Sequence, residues 1–413
     1  MLLALVFLCS TLFACGNTAN SDREMVISNT YTFLWHDLYF YVAPAVESDK
    51  ESGTLKYYNT LAEGEHGIPV YNDPFNEDGD PFSPKSSYGS SLATSTKVLI
   101  DEDATEKNNG FPVLIAALPF ERPEDVDTGT FHYRLVSYNM GTGEMKILCE
   151  DVGEEVKTIG LYRDSIYYIG VSETIEDFVT GAGDIENALF VLPKDGGTPK
   201  KLPLSIDDTE FSLECTWKGK IYLRTAGKRL LYRYDPETGD AELVSKITNN
   251  INQLYLLEPI YYINGYVYYK GNEHVITKEG YSDMRAYDLY RQPLDNLQEL
   301  NEKNGELILQ NIDGRILQGD TKLFYYNVSD GNPIGTWQTD YSIMYCYDVF
   351  TKKIELVYDH SKMQGIDWTV WHANDTYVVM DTAKEEGGDY WRNSIVNWYT
   401  GERWEIGDVG WRN

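Results

Sequence analysis

The chain has 413 residues, and 65 acidic against 35 basic side chains give it a formal charge of −30. A field of that sign repels polyanions and so excludes nucleic acid as a partner; it suits a soluble, self-repelling surface, with recruitment of calcium or a cationic ligand as the alternative. Tyrosine occurs 33 times, β-branched and aromatic residues fall in short runs, and no stretch carries helix-period apolar residues over three turns, so the chain reads as all-β.

Met1 to Ala14 carry no charge and end in Leu12-Phe13-Ala14-Cys15. Such a run is too short to span a bilayer stably but suits the core of a signal peptide. Its last four residues resemble a bacterial lipobox, in which Cys15 takes a diacylglycerol and becomes the new N-terminus. A thioether-linked lipid holds a protein on a membrane without a spanning helix. Residues 1–15 are therefore expected to be a lipoprotein signal peptide, although no Lys or Arg precedes the apolar run. Residues 16–24, small and polar, read as a tether, and 25–413 as one domain on the extracytoplasmic face of the cell membrane. Cys149, Cys215 and Cys346 follow, each in an apolar-aromatic run. Their odd number cannot make a full disulfide framework, so buried free thiols are expected.

One pattern recurs: a turn residue, an aliphatic residue, then aromatics. It reads Asp37-Leu38-Tyr39-Phe40-Tyr41, Asp164-Ser165-Ile166-Tyr167-Tyr168, Gly219-Lys220-Ile221-Tyr222 and Gly265-Tyr266-Val267-Tyr268-Tyr269. Thr321 to Tyr325 and Asp375 to Val379 continue it, and Val113-Leu114-Ile115 is a weaker copy. The last five starts lie 46 to 56 residues apart, the period of a propeller blade. A strand ending in a tight turn follows each, as in Tyr234-Asp235-Pro236-Glu237-Thr238-Gly239 and Trp398-Tyr399-Thr400-Gly401. Each repeat is thus written as four strands, A to D; in the fourth they are Ser212–Trp217, Ile221–Thr225, Leu230–Asp235 and Ala241–Val244. Counting such units from near Val26 to near Ile406 predicts a β-propeller of seven four-stranded blades, with six or eight as alternatives.

The export signal, lipobox and tyrosine-rich repeats resemble uncharacterised lipoproteins of Gram-positive gut bacteria that carry a propeller of the low-density-lipoprotein-receptor-related type. The resemblance spans the mature chain and implies a fold but no reaction. The receptor signature Tyr-Trp-Thr-Asp is absent, and Asp389-Tyr390-Trp391-Arg392 is its nearest echo.

In such a sheet the A–B and C–D turns share one end, and they are short here. The B–C segments are long in six of seven repeats: Pro44–Thr54, Pro119–Thr130, Glu173–Asn187, Gly271–Asp283, Ser329–Asp340 and Thr382–Trp391. Long loops gathered on one end of a rigid scaffold are where binding resides. They carry aromatics among polar residues, Phe120, Phe178, Tyr281, Trp337, Tyr341, Tyr390 and Trp391, which suit stacking on sugar rings or anchoring a protein. His274, in one of these segments, joins the candidate ligand-binding set. None of the six histidines pairs at metal-ligand spacing, and no nucleophile elbow, Walker loop or dinucleotide fingerprint is present. Ser329 to Trp337 differs from a sialidase Asp-box in spacing, and Asp73 to Asp80 lacks the closing bidentate Glu of a calcium loop. No cofactor and no catalytic residue is therefore assigned. The expectation is a monomeric, membrane-anchored binding module for a glycan, peptide or envelope protein. Two alternatives stand beside it: a carbohydrate-active hydrolase or lyase, and a structural envelope assembly factor.

Overall fold

The computed structural model describes residues 25–28, 33–36, 38–42, 55–59, 97–120, 132–175, 184–206, 210–225, 229–247, 260–277, 284–328, 343–359, 369–383 and 391–409. Antiparallel sheets follow one another along the chain. After a leading strand β1 (Val26–Ser28), the first sheet is β2 (Phe33–Trp35), β3 (Leu38–Val42) and β4 (Leu55–Asn59). The second is β5 (Lys97–Ile100), β6 (Val113–Phe120), β7 (His132–Asn139) and β8 (Glu144–Cys149). The third is β9 (Val156–Tyr162), β10 (Ser165–Ile175), β11 (Asp184–Pro193) and β12 (Lys200–Lys201), with β1 added at its β9 edge. The fourth is β13 (Phe211–Trp217), β14 (Lys220–Thr225), β15 (Leu230–Tyr234) and β16 (Ala241–Lys246); each of its four strands lies within two residues of the expected limits.

An eight-stranded sheet comes next, built from β17 (Tyr261–Ile263), β18 (Tyr266–Lys270), β19 (His274–Ile276), β20 (Met284–Pro293), β21 (Glu306–Gln318), β22 (Lys322–Asn327), β23 (Ile343–Asp348) and β24 (Ile354–Asp359). It is two repeats joined by one strand: Glu306–Ile312 of β21 pairs with β20, and Ile312–Gln318 with β22. The last sheet is β25 (Thr369–Ala373), β26 (Tyr377–Ala383), β27 (Trp391–Asn397) and β28 (Arg403–Val409).

Consecutive antiparallel strands place the first and third connections of each sheet at one end, the tight-turn end, and the second at the other, the hairpin end. Tightness has a local cause. Lys218 and Gly219 have φ of 48° and 79°, and Asn264 and Gly265 of 51° and 72°, the two positive values of a hairpin turn whose twist matches its strands. Gly265 is doubly constrained, because a Cβ there would lie 2.4 Å from the Trp217 ring of the preceding sheet. Two connections depart from this economy and from the short turns expected there: residues 294–305, with a 3-10 turn at Leu294–Asn296, join β20 to β21, and α1 (Glu102–Lys107) fills the first connection of the second sheet. Asp101 caps α1 by accepting from Ala104 N at 3.0 Å, with Glu102 and Asp103 in the first turn and Lys107 in the last. Only Thr105 of α1 is buried, which is why no apolar period announced it.

The core lies between successive sheets. Ile115 and Leu135 of the second pack on Ile159 and Tyr168 of the third, and Ile169 and Leu189 of the third on Leu213 and Leu223 of the fourth. Tyr222 meets Tyr262 and Val267, Tyr268 meets Tyr325, and Phe324 stacks on Trp398 at 4.5 Å. Each fully buried side chain of this kind contributes about 1.5–3 kcal/mol. Tyrosine rings fill the gap, and at two positions the hydroxyl also reaches a backbone acceptor: Tyr261 Oη donates to Ile316 O at 2.9 Å, and Tyr222 Oη to Leu294 O at 3.3 Å. Burial raises the Tyr222 and Tyr269 phenols to about 12. Cys215 and Cys346 are buried and Cys149 half-buried, all three as free thiols.

The structure corrects two expectations. The first repeat does not begin near Val26, because β1 pairs instead with β9, Val26 opposite Leu161 and Ser28 opposite Ile159. Gly160 makes this possible: a Cβ there would lie 2.4 Å from Met25 Sδ, and the Met25 amide donates to Thr216 Oγ1 at 2.5 Å. Nor are Glu173–Asn187 and Gly271–Asp283 open loops throughout. β10 and β11 stay paired out to Ile175 and Asp184, and β19 pairs with the start of β20. Two of the long segments are thus hairpins continuing past the sheet.

Candidate ligand-binding site

The β19–β20 hairpin carries a group of polar side chains at the hairpin end. Beyond β18, Gly271 lets the chain pass close to Tyr290 and Glu302, whose atoms a Cβ would meet at 2.7 and 2.9 Å. Its amide donates to Asp288 O at 2.8 Å, and Glu302 Oε1 accepts from Asn272 N at 2.7 Å. The next residues enter β19, which sets His274 opposite Ala286.

On one side of the hairpin three strands converge. His274 Nε2 lies 3.1 Å from Asn311 Oδ1 and 4.0 Å from Asp288 Oδ1. Asp288 Oδ1 in turn accepts from Asn311 N at 3.0 Å. Asn311 sits at the break in β21 with φ of 57°, a left-handed conformation that asparagine tolerates better than most residues. An Nε2–H donating to Asn311 leaves Nδ1 of a neutral imidazole as an acceptor. The His274 side chain keeps 39% of its surface open. On the opposite side, Tyr287 Oη donates to Glu273 Oε2 at 2.8 Å, Arg285 Nη1 stands 3.6 Å from the same oxygen, and Lys270 Nζ lies 4.6 Å over the Tyr287 ring. Each side of the hairpin thus carries both donors and acceptors, as ligand hydroxyls and amides require. Among the described residues no group of three His, Cys, Asp or Glu side chains is placed to hold a metal.

The expected residues divide as follows. His274 lies in the cluster. Trp391 opens β27 at the hairpin end of the last sheet, paired with Ala383 and Val409. Phe178, Tyr281, Trp337, Tyr341, Tyr390, the Asp73–Asp80 run and Cys15 lie outside the described residues. Phe120 folds back on its own sheet, with the Arg134 guanidinium 4.4 Å over its ring and the His132 ring at 6.0 Å. Asp288, Asn311, Glu273 and Tyr287 were not anticipated. Asp288 and Asn311 stand 23 residues apart, and only the break in β21 brings them together.

A second titratable group lies at the tight-turn end. Asp320 is exposed on one side, and its carboxyl is held above its ordinary value, first by partial desolvation and then by Asp375, against a pull down from His36 and with a smaller push from Glu102. Asp375 is itself engaged, accepting from Thr321 N at 3.0 Å and Thr321 Oγ1 at 2.6 Å.

No family model matches the chain, and no curated protein does. Among solved structures, an uncharacterised protein of Listeria monocytogenes is similar at 11% identity and a TM-score of 0.41, over 71% of this chain and 80% of its own. An oligogalacturonate lyase of Vibrio parahaemolyticus is similar at 11% identity and a TM-score of 0.37, over 90% of this chain and 96% of its own. Likenesses this distant carry no argument about activity.

Proposed function

We propose that the chain is a cell-surface lipoprotein, anchored through Cys15, whose region 25–413 is a seven-bladed β-propeller acting as a recognition module. A glycan or peptide is taken at the hairpin end. Seven blades follow from reading the eight-stranded sheet as two repeats beside five others, and a bond from Asn374 Nδ2 to His36 O at 2.9 Å supports a ring in which last meets first.

The observation that carries the functional reading is the asymmetry of the sheet ends. At one end the described connections are short apart from 101–112 and 294–305, whereas β10–β11 and β19–β20 project at the other, where β19, β20 and β21 bring His274, Asp288 and Asn311 into one half-exposed polar cluster. Extended connections on a rigid scaffold are where binding resides, and these hairpins carry the half-exposed polar groups. A glycan-array and peptide-pool screen of the soluble form from Ser21 onward, with and without calcium, tests this. Saturable binding weakened at least tenfold by His274→Ala/Asp288→Asn, or by Trp337→Ala/Trp391→Ala, is the expected result. Binding untouched by both pairs would move the site elsewhere, and shortening of a labelled polysaccharide without retention would replace recognition by catalysis.

A further inference from the structure

We propose that the tight-turn end is the face this protein turns toward the lipid surface, and that Phe350 and Tyr399 on its rim enter the headgroup layer. The inference rests on the lipidation of Cys15 proposed above. Two independent observations carry it.

The first is the path of β1. It runs antiparallel to β9, with Val26 opposite Leu161 and Ser28 opposite Ile159. β9 ends at Tyr162, beside the turn at Arg163 and Asp164. Met25 therefore lies at the tight-turn end, and the chain before it departs from there. The departure point is firmly held: Met25 is 7% exposed, packed with Leu213 and bonded through its amide to Thr216. β1 also lies against β5 and β13, so it occupies the inner edge shared by three successive sheets. Cys15 precedes Met25 by ten residues, which reach about 35 Å at full extension. A lipid on Cys15 thus keeps the tight-turn end within roughly that distance of the bilayer.

The second observation is what that end displays. Phe350, in the turn between β23 and β24, and Tyr399, in the turn between β27 and β28, are each 59% exposed. Asp348 Oδ1 fixes the first turn by accepting from Phe350 N at 3.0 Å and Thr351 N at 2.8 Å. Lys322, opposite Asp348 in register, reaches the Tyr399 hydroxyl and lies 4.9 Å over its ring. The two turns therefore form one patch, which Lys353 and Lys352, the latter 4.0 Å from Glu306, flank and Ile354, 54% exposed, extends. Aromatic rings beside lysines are the composition of an interfacial anchor, the ring at headgroup depth and the ammonium among phosphates. A tether ending on the same face makes the bilayer the surface that meets this patch.

Hydrogen exchange tests the assignment. The mature chain from Cys15 would carry Cys149→Ser and a maleimide-coupled dialkyl lipid on Cys15, and would be bound to vesicles of phosphatidylcholine and phosphatidylglycerol. Exchange at 349–353 and 398–401 should slow several-fold relative to the vesicle-free, unlipidated protein, while 271–277 stays unchanged. Phe350→Ser/Tyr399→Ser should abolish the slowing without releasing the protein from the vesicles. Slowing at 271–277 instead, or at neither end, overturns the proposal. So does slowing at 349–353 that appears without vesicles at high protein concentration, which would assign the patch to a second copy. Because the lipid is attached chemically, the mass of the N-terminal peptide from native membranes tests the lipoprotein reading separately, and a Cys15 without lipid there would end the membrane assignment by itself.

Discussion

Asp320 shows how one side chain reports its surroundings. Burial and then the neighbouring Asp375 disfavour its charged form, so the folded chain holds this proton to higher pH than the unfolded chain does. The folded state then binds more protons than the unfolded state above the ordinary aspartate value of 3.8, and stability falls as pH rises through that window. Asp320→Asn carries no charge and is spared this fall. Its urea midpoint should exceed that of the native chain at pH 7, and the difference should close below the ordinary carboxylate range. An equal difference at both pH values would show that the carboxylate is not the cause. His274 makes the complementary point, because its nearest partner comes from another strand and not from its own segment. A histidine can be singled out by its place in a long connection, but what it does depends on Asn311, 37 residues away.

Between elements, one buried ion pair ties the second sheet to the third. Lys194, just after β11, reaches Asp101 at 2.6 Å, and the Asp101 side chain is only 3% exposed. Removing the cation leaves a buried carboxylate with the Ala104 amide for support, which costs about 3 kcal/mol or more. Lys194→Met should lower stability by that amount, and adding Asp101→Asn should recover part of the loss. Strict additivity in the double-mutant cycle would show that the two side chains are not coupled. Neither residue was singled out by its sequence context, whereas every second strand was: each aliphatic-aromatic copy falls in β3, β6, β10, β14, β18, β22 or β26. Those strands were legible because their aliphatic-aromatic runs repeat at blade spacing, and β6, β14 and β18 are buried along most of their length. The place of β1 was not, since Val26-Ile27-Ser28 carries no sign of its pairing partner in its own sequence and the space for Met25 is a missing side chain at Gly160. The fusion of two repeats through β21 escaped for a related reason. Asn311 to Gly314 reads as a turn, yet pairing on both sides holds it within one strand. At the candidate site, the long connections of the hairpin end were visible in the sequence, but the partners of His274 come from β20 and β21, which only pairing brings beside it.

For the whole molecule, the proposed ring stands on the contact between its last and first members. Asn374, 5% exposed, donates from Nδ2 to His36 O, while its Oδ1 accepts from Thr376 N at 2.9 Å and Tyr377 N at 2.7 Å. These two roles can be separated. Asn374→Asp retains an acceptor for the turn amides but sets a carboxylate oxygen against the His36 carbonyl, leaving the closure bond unmade at a cost of about 1–3 kcal/mol. A ring member that loses one neighbour should loosen as a unit. Exchange in Asn374→Asp should therefore accelerate across 33–35, 38–42 and 55–59 while the fourth sheet keeps its native protection. The net charge of −30 should sharpen this contrast at low ionic strength, where self-repulsion acts across the longest distances. Uniform acceleration would mean that Asn374 serves the global stability of its own sheet, and an unchanged first sheet would mean that the two ends of the chain are not joined through this bond. Selective loosening is what a closed circle of sheets demands, because an open stack would already have a free first face and nothing there left to lose.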